Sequence, residues 1–184
     1  KAAKKFGIKT GYRSYTAKKI YPGIVFIPAD FPKYWEIRKR FLNIAKDYSL
    51  FVELFSIDEV FMDITETKHL FEGTMGVVNR IKTRIENEIG QYVTVSIGIS
   101  YNKLLAKLAS GLEKPNGLVE IKPQDVERIF AKTKLTAVCG IGERIGERLN
   151  KIGIHTLLEL RTTPLPRLSA EFGKAEAQFL RNVS

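Results

Sequence analysis

Apolar residues along this chain recur at two spacings, every second position and every third or fourth, and the two alternate from stretch to stretch. Val25-Phe26-Ile27-Pro28 predicts a short strand closed by proline. From Pro32 to Tyr48 the positions Tyr34, Ile37, Phe41, Ile44/Ala45 and Tyr48 mark one face of a helix. Val52 to Phe55 and Val60 to Ile64 read as the strands of a hairpin turning at Ser56-Ile57-Asp58-Glu59. A second helix follows with Val78, Ile81, Ile85 and Ile89 inward and ends near Gly90. Val93 to Ile99 alternates strictly and predicts the clearest strand. Asn102 then caps a helix carrying Leu104, Leu105, Leu108 and Leu112. Lys114-Pro115-Asn116-Gly117 stops it, and Leu118 to Ile121 makes a last short strand. Helix, hairpin, helix, strand in that order predicts a ferredoxin-like α/β (α+β) arrangement with an antiparallel sheet and helices on one face. From Pro123 the pattern changes to short helices joined by Gly and Pro, so the expected division is 1–122 and 123–184.

Composition narrows the classes. Hydrophobic residues make up 44% of the 184, enough for a core, and no run of about 18 apolar residues that could span a membrane occurs. The N-terminus has charges but no apolar stretch of signal-peptide type. It lacks a Met and opens inside an amphipathic pattern, which predicts a chain truncated at its start. The single cysteine, Cys139, permits no internal disulfide and fits a reducing cytoplasm. His69 and His155 lie far apart without companion ligands and read as ordinary surface or packing histidines.

Charge changes the picture more by its distribution than by its total of +10. Residues 1–50 carry 12 Lys/Arg against 3 Asp/Glu, residues 51–72 carry 1 against 6, and residues 73–184 carry 17 against 11. An acidic island in a basic chain suits a metal-dependent enzyme acting on phosphates, and equally an acidic solvent-facing hairpin. Within the island, Asp58 and Glu59 would diverge in a regular strand, but at the mouth of a hairpin both can converge on one ion. Mg²⁺ takes hard oxygen ligands, often one or two carboxylates with phosphates and water completing the shell.

A second pattern runs from Leu135 to Ile154 and reads as a helix-hairpin-helix. Gly140-Ile141-Gly142 lets the hairpin backbone approach a phosphate, the next helix presents its N-terminal N–H groups, and Arg144, Arg148 and Lys151 form a basic rim. Such contacts grip DNA without reading its sequence.

Several ordered motifs together resemble the Y family of lesion-bypass (translesion) DNA polymerases. Ser56-Ile57-Asp58-Glu59 followed by Val60-Phe61-Met62-Asp63 is similar to that family's second catalytic motif. Ser96-Ile97-Gly98-Ile99-Ser100-Tyr101-Asn102-Lys103-Leu104-Leu105-Ala106-Lys107-Leu108-Ala109-Ser110 resembles its next block, and Lys114-Pro115-Asn116-Gly117 completes it. Lys5 to Gly11 and Ala17 to Pro22 look like its fingers segment. The match covers nearly the whole chain and is nearest the DinB, or polymerase IV, type. It implies a palm over 1–122, with fingers roughly at 5–28, and an all-α thumb over 123–184. The implied activity is template-directed transfer of a nucleotide from dNTP to a primer 3′-hydroxyl in lesion bypass and DNA repair, with Mg²⁺ in a two-metal mechanism. The resemblance makes Asp58 a Mg²⁺ ligand and Glu59 both a ligand and the catalytic carboxylate. Lys114 and Lys4 would meet the triphosphate, with Lys1 standing where the family has Tyr. Lys103 and Lys107 would face DNA phosphates, and Asp63 would brace the sheet. The implied partners are primer-template DNA, dNTP and a sliding clamp reached through a C-terminal region.

One departure bears on activity. The family's first motif, with another metal-binding Asp and an aromatic steric gate, falls before residue 1, and its little-finger domain falls after Ser184. The chain by itself is therefore expected to be inactive. Two other readings stay open: a non-catalytic DNA-binding polymerase remnant, and a nucleotidyl cyclase sharing the palm architecture.

Overall fold

The structure, a computed structural model, describes residues 2–184, so Lys1 lies outside the described residues. It divides into two compact units, residues 1–36 and 37–184. In the first, α1 (Ala2–Lys5) and α2 (Ser14–Ile20) are short, and Ile8 and Ala17 are buried. Phe6 stacks on Tyr21 with ring centroids 4.3 Å apart. The expected strand at 25–28 does not form. The segment is irregular, with Val25 and Ile27 80% and 85% exposed. An extended stretch becomes a strand only when a neighbour accepts its backbone hydrogen bonds, and no described residue pairs with it.

The helix expected from Pro32 is α3 (Phe31–Lys46), which begins in the first unit and ends in the second. Its last turns bury Ile44 and Ala45, and Tyr48 follows them inward. β1 (Phe51–Leu54) and β2 (Val60–Asp63) form the expected antiparallel hairpin, with Phe51 opposite Asp63 and Leu54 opposite Val60. The helix with Val78, Ile81 and Ile85 inward is α4 (Gly73–Arg84), extended by a π-turn over Ile85–Ile89 and ending at Gly90. Arg84 ties it to the end of α3, donating to Asp47 at 2.7 Å and to Glu88 at 3.2 Å. Ile44, Tyr48, Val77, Ile81 and Ile85 make the smaller core, with Met62 and Ile97 against it.

The alternation at 93–99 yields only β3 (Ile97–Ile99), and Tyr92 at its approach is 91% exposed. As expected, Asn102 caps α5 (Lys103–Leu112), its side chain accepting from the Leu105 N–H at 2.8 Å. Leu105 and Leu108 are buried, but Leu112 is 45% exposed at the last turn. β4 (Leu118–Glu120) pairs with β3 in parallel. An antiparallel sheet is the sequence expectation, and it holds for β1–β2. α5 is a crossover long enough to return the chain in the same direction, so β3 and β4 run parallel.

Beyond β4 come α6 (Val126–Phe130), α7 (Glu143–Lys151), α8 (Leu157–Thr162), α9 (Leu165–Phe172) and α10 (Lys174–Asn182). Thr156 and Glu159 build a capping box at the start of α8. Leu149, Leu157, Leu160, Leu168, Ala177 and Leu180 are wholly buried and join Leu105, Leu108 and Ile121 in the larger core.

The tightest packing in the second unit lies between β3 and α5. A Cβ on Gly98 would stand 2.0 Å from the Ala106 carbonyl oxygen and 2.3 Å from the Ser110 nitrogen. Both are backbone atoms of a helix and cannot step aside. Gly98→Val is therefore expected to cost at least about 2 kcal/mol in urea or thermal unfolding, the scale of core overpacking. Gly111→Ala, in open space on the same helix, should instead gain about 0.5–1 kcal/mol. Equal stability of the two variants would contradict this account of the β3–α5 contact.

Candidate functional site

The hairpin turn is closed by backbone: the N–H groups of Phe55 and Ser56 both donate to the Glu59 carbonyl, at 3.0 and 3.2 Å. Bending at Ser56 to Asp58 releases the side chains from the strand alternation, and the two acids converge. The Ser56 hydroxyl donates to Asp58 Oδ1 at 2.8 Å and stands 3.4 Å from Glu59 Oε2. One hydroxyl has one proton, so it serves Asp58 and sits between the two carboxylates. Asp58 is exposed and Glu59 is half-buried.

Helix α5 lies over this hairpin, presenting Lys103 and Lys107 one turn apart. Lys107 forms an ion pair with Glu59 Oε1, and Lys103 forms one with Glu53 Oε2. Each ammonium also stands over an aromatic ring, Lys107 5.3 Å from the centre of Phe55 and Lys103 6.0 Å from that of Phe61. The two rings meet edge to face at 5.3 Å. Both lysines thus face carboxylates of the hairpin.

Sequence reasoning passed over Glu53, Phe55 and Phe61. The signal was present: Glu53 and Phe55 share one strand face at period 2, and Phe61 stands opposite Glu53 in register. An i, i+4 pair of lysines across from them completes the pattern. Asp63 ends β2, accepts from the Thr65 N–H at 2.9 Å, and its own carbonyl accepts from the Ser49 hydroxyl at 2.6 Å. The Thr65 hydroxyl first, and its N–H second, hold the Asp63 carboxyl below its ordinary value. Among the described residues, no three His, Cys, Asp or Glu side chains are grouped as they would be to hold a metal ion. Asp58 and Glu59 are a pair of hard oxygen donors, and the cation beside Glu59 is Lys107.

Lys114 is exposed in the loop after α5, whose backbone is pinned from α4: Lys82 donates to the carbonyls of Asn116 at 2.7 Å and Gly117 at 3.3 Å. Lys4 is exposed on α1, in the first unit.

At the second pattern, a single 3₁₀ turn, Leu135–Ala137, stands where a first helix is expected. Gly140 has φ +97°, and a Cβ there would meet the ring of Phe179 at 2.4 Å. Gly142, the residue before α7, has open space where a Cβ would go. Ile141 between them is buried. Arg144 and Lys151 are exposed, with no ion pair among the described residues. Arg148 is engaged within the fold: it donates to Glu171 Oε1 at 3.1 Å, pairs with Glu176 at 3.7 Å and stacks 4.3 Å from the Phe172 ring centre. Among the described residues no helix is long and apolar enough to cross a membrane.

Comparison with known proteins gives a consistent picture. The model of the impB/mucB/samB family matches residues 1–111. DNA polymerase IV of Saccharolobus solfataricus is 34% identical over 182 residues, covering 99% of this chain and 51% of that protein. DNA polymerase IV of Pelotomaculum thermopropionicum is 37% identical over 171 residues, covering 93% and 42%. A crystal structure of DinB from Sulfolobus solfataricus superposes with a TM-score of 0.86 at 31% identity, over 98% of this chain and 53% of that one. An insertion ternary complex of Dbh DNA polymerase gives 0.86 at 31%, over 99% and 53%. The chain spans about half the length of the curated relatives it matches. With 111 of 184 residues matched by the family model and the fold shared over nearly its whole length, the chain belongs to the impB/mucB/samB family, as a DinB-like member of the Y family.

Proposed function

We propose that this chain supplies catalytic carboxylates and a DNA-gripping thumb to a lesion-bypass polymerase that adds a dNTP to a primer 3′-hydroxyl under template direction. The observation that carries the reading is the convergence of Asp58 and Glu59 on one hydroxyl at the tip of the hairpin. Their donor set, two hard carboxylates brought to one hydroxyl, fits Mg²⁺. When bound, Mg²⁺ would stabilise the negative charge of the attacking oxygen and of the departing pyrophosphate. Asp58 and Glu59 would hold the ion. Glu59, oriented by its neighbours, would also lie beside the primer hydroxyl. Lys114, on its pinned loop, would offset the triphosphate charge. We assign residues 1–122 to palm and fingers and 123–184 to the thumb, in a cytoplasmic DNA-repair enzyme with a sliding clamp as a further partner.

The chemistry is tested in the gene product that carries this chain. Primer extension with Mg²⁺ is expected, and Glu59→Gln should lower turnover by about 10² or more, the scale for losing one group that stabilises developing charge. DNA affinity should hold. Near-normal turnover in that variant would return Asp58 and Glu59 to the status of a surface turn.

The thumb is tested on the chain itself by titration against two unrelated duplexes at several salt concentrations. Binding should ignore sequence and weaken as salt rises. Arg144→Ala should reduce the slope of log affinity against log salt by about one. Gly142→Val should weaken binding with a loss of only about 1 kcal/mol in helix capping. Gly140→Val and Arg148→Ala should act mainly on the melting temperature, because one needs a left-handed backbone and the other is tied inside the fold. Binding that is indifferent to salt or selective for one duplex would defeat the thumb assignment.

A further inference from the structure

We propose that Lys107 is an internal counter-cation for Glu59, a positioning residue that occupies the carboxylate until a divalent metal ion displaces it. This rests on the reading of Asp58 and Glu59 as metal ligands. The two rungs between α5 and the hairpin differ in a way that singles out Lys107. In the Lys103–Glu53 pair the side chains are 61% and 56% exposed, and in the Lys107–Glu59 pair 27% and 29%. Water therefore screens the first pair far more than the second.

Lys107 is also held from several sides. Its carbonyl accepts from the Ser110 hydroxyl at 2.9 Å, its ammonium lies over Phe55, and its helix is seated on β3 at Gly98. Phosphate contact is the role its sequence position suggests, yet the ammonium faces the protein's own carboxylate. Glu59 in turn uses Oε1 for Lys107 while Oε2 faces the Ser56 hydroxyl and, through it, Asp58.

A divalent ion held by Asp58 and Glu59 would compete with the ammonium for one carboxylate. At equal separation, a +2 and a +1 charge repel twice as strongly as two unit charges. Having Glu59 already ordered favours metal binding, but the hairpin and the Ser56 hydroxyl restrict that side chain without the lysine, so only part of the ordering is owed to Lys107. Competition therefore wins, and the lysine lowers metal affinity while keeping Glu59 from sitting unpaired in a half-buried site. The gain is a carboxylate pair whose shape is preserved in the metal-free protein.

The test is Mn²⁺ binding to the chain, read by electron paramagnetic resonance of the free ion, without any turnover. Parent chain, Lys107→Gln, Lys107→Arg and Asp58→Asn are compared, with Asp58→Asn made also in the Lys107→Gln background. Lys107→Gln should tighten Mn²⁺ by about three- to tenfold, somewhat above the effect of an exposed ion pair. Lys107→Arg, which restores the charge, should bind near the parent value. Asp58→Asn should abolish the binding in both backgrounds. If Asp58→Asn abolishes binding but Lys107→Gln leaves it unchanged or weaker, the counter-cation role is overturned and the metal site stands. If no Mn²⁺ binding depends on Asp58 in either background, the metal-site reading fails and takes the inference with it. Should Lys107→Gln lose its cooperative melt, Lys107→Met repeats the comparison, its thioether keeping contact with the Phe55 ring.

Discussion

The site depends on one steric fact, the backbone-to-backbone contact of β3 and α5 at Gly98. Any side chain there would drive the helix off the strand, because the obstructing atoms belong to the Ala106 and Ser110 backbone. Ala109, fully buried in the same contact, is the other small residue that permits it. With α5 seated, Lys103 and Lys107 reach the hairpin, and Leu105 and Leu108 reach the larger core on the helix's other side. One glycine thus couples the register of a helix to the electrostatics of a turn some 40 positions earlier in the sequence.

That coupling explains what becomes of the acidic island. Six acids in residues 51–72 invite the picture of one polyanionic cluster, and the fold disperses them. Glu53 and Glu59 go to the lysines of α5, Asp63 goes to Thr65, and Glu72 lies 3.5 Å from Arg80. Only Asp58 and Glu59 are brought to a common group, the Ser56 hydroxyl. Like charges at such closeness are tolerable only when a cation or a good donor is at hand. Ser56 and Lys107 fill those roles here.

Much of this was legible in the sequence where the signal is local. The last turns of α3, the α4 face, the hairpin at 56–59 and the Asn102 cap follow from periodicity and cap chemistry within a few residues, whereas Tyr34, expected on the inner face of α3, is 46% exposed. What sequence reading missed is non-local. Val25 to Pro28 has strand composition but no partner, and composition carries no information about partners. Val93 to Ile99 alternates over seven residues yet pairs over three, because β4 spans only Leu118 to Glu120. The direction of that pairing comes from the α5 crossover and not from either strand. The same holds for the site: Glu59 was legible as part of a motif, whereas its lysine partner lies 48 residues away, and Glu53, which was not, meets Lys103 across 50.

The glycine-rich hairpin before α7 shows why a motif cannot be read one residue type at a time. Gly140 and Gly142 look equivalent in the sequence, but Gly140 is required by its left-handed backbone and by the Phe179 ring, whereas Gly142 faces open space. A glycine kept by internal contacts says nothing about a ligand. A glycine at a helix start with nothing against it leaves its backbone accessible to an anion. The arginines divide in the same way. Arg148 is spent on Glu171, Glu176 and Phe172, holding α7 to the α9–α10 corner, and Arg144 is left exposed. The charge available to a polyanion at this hairpin is therefore smaller than the count of basic residues suggests. It is concentrated on Arg144 and Lys151, at the two ends of the helix that the hairpin introduces.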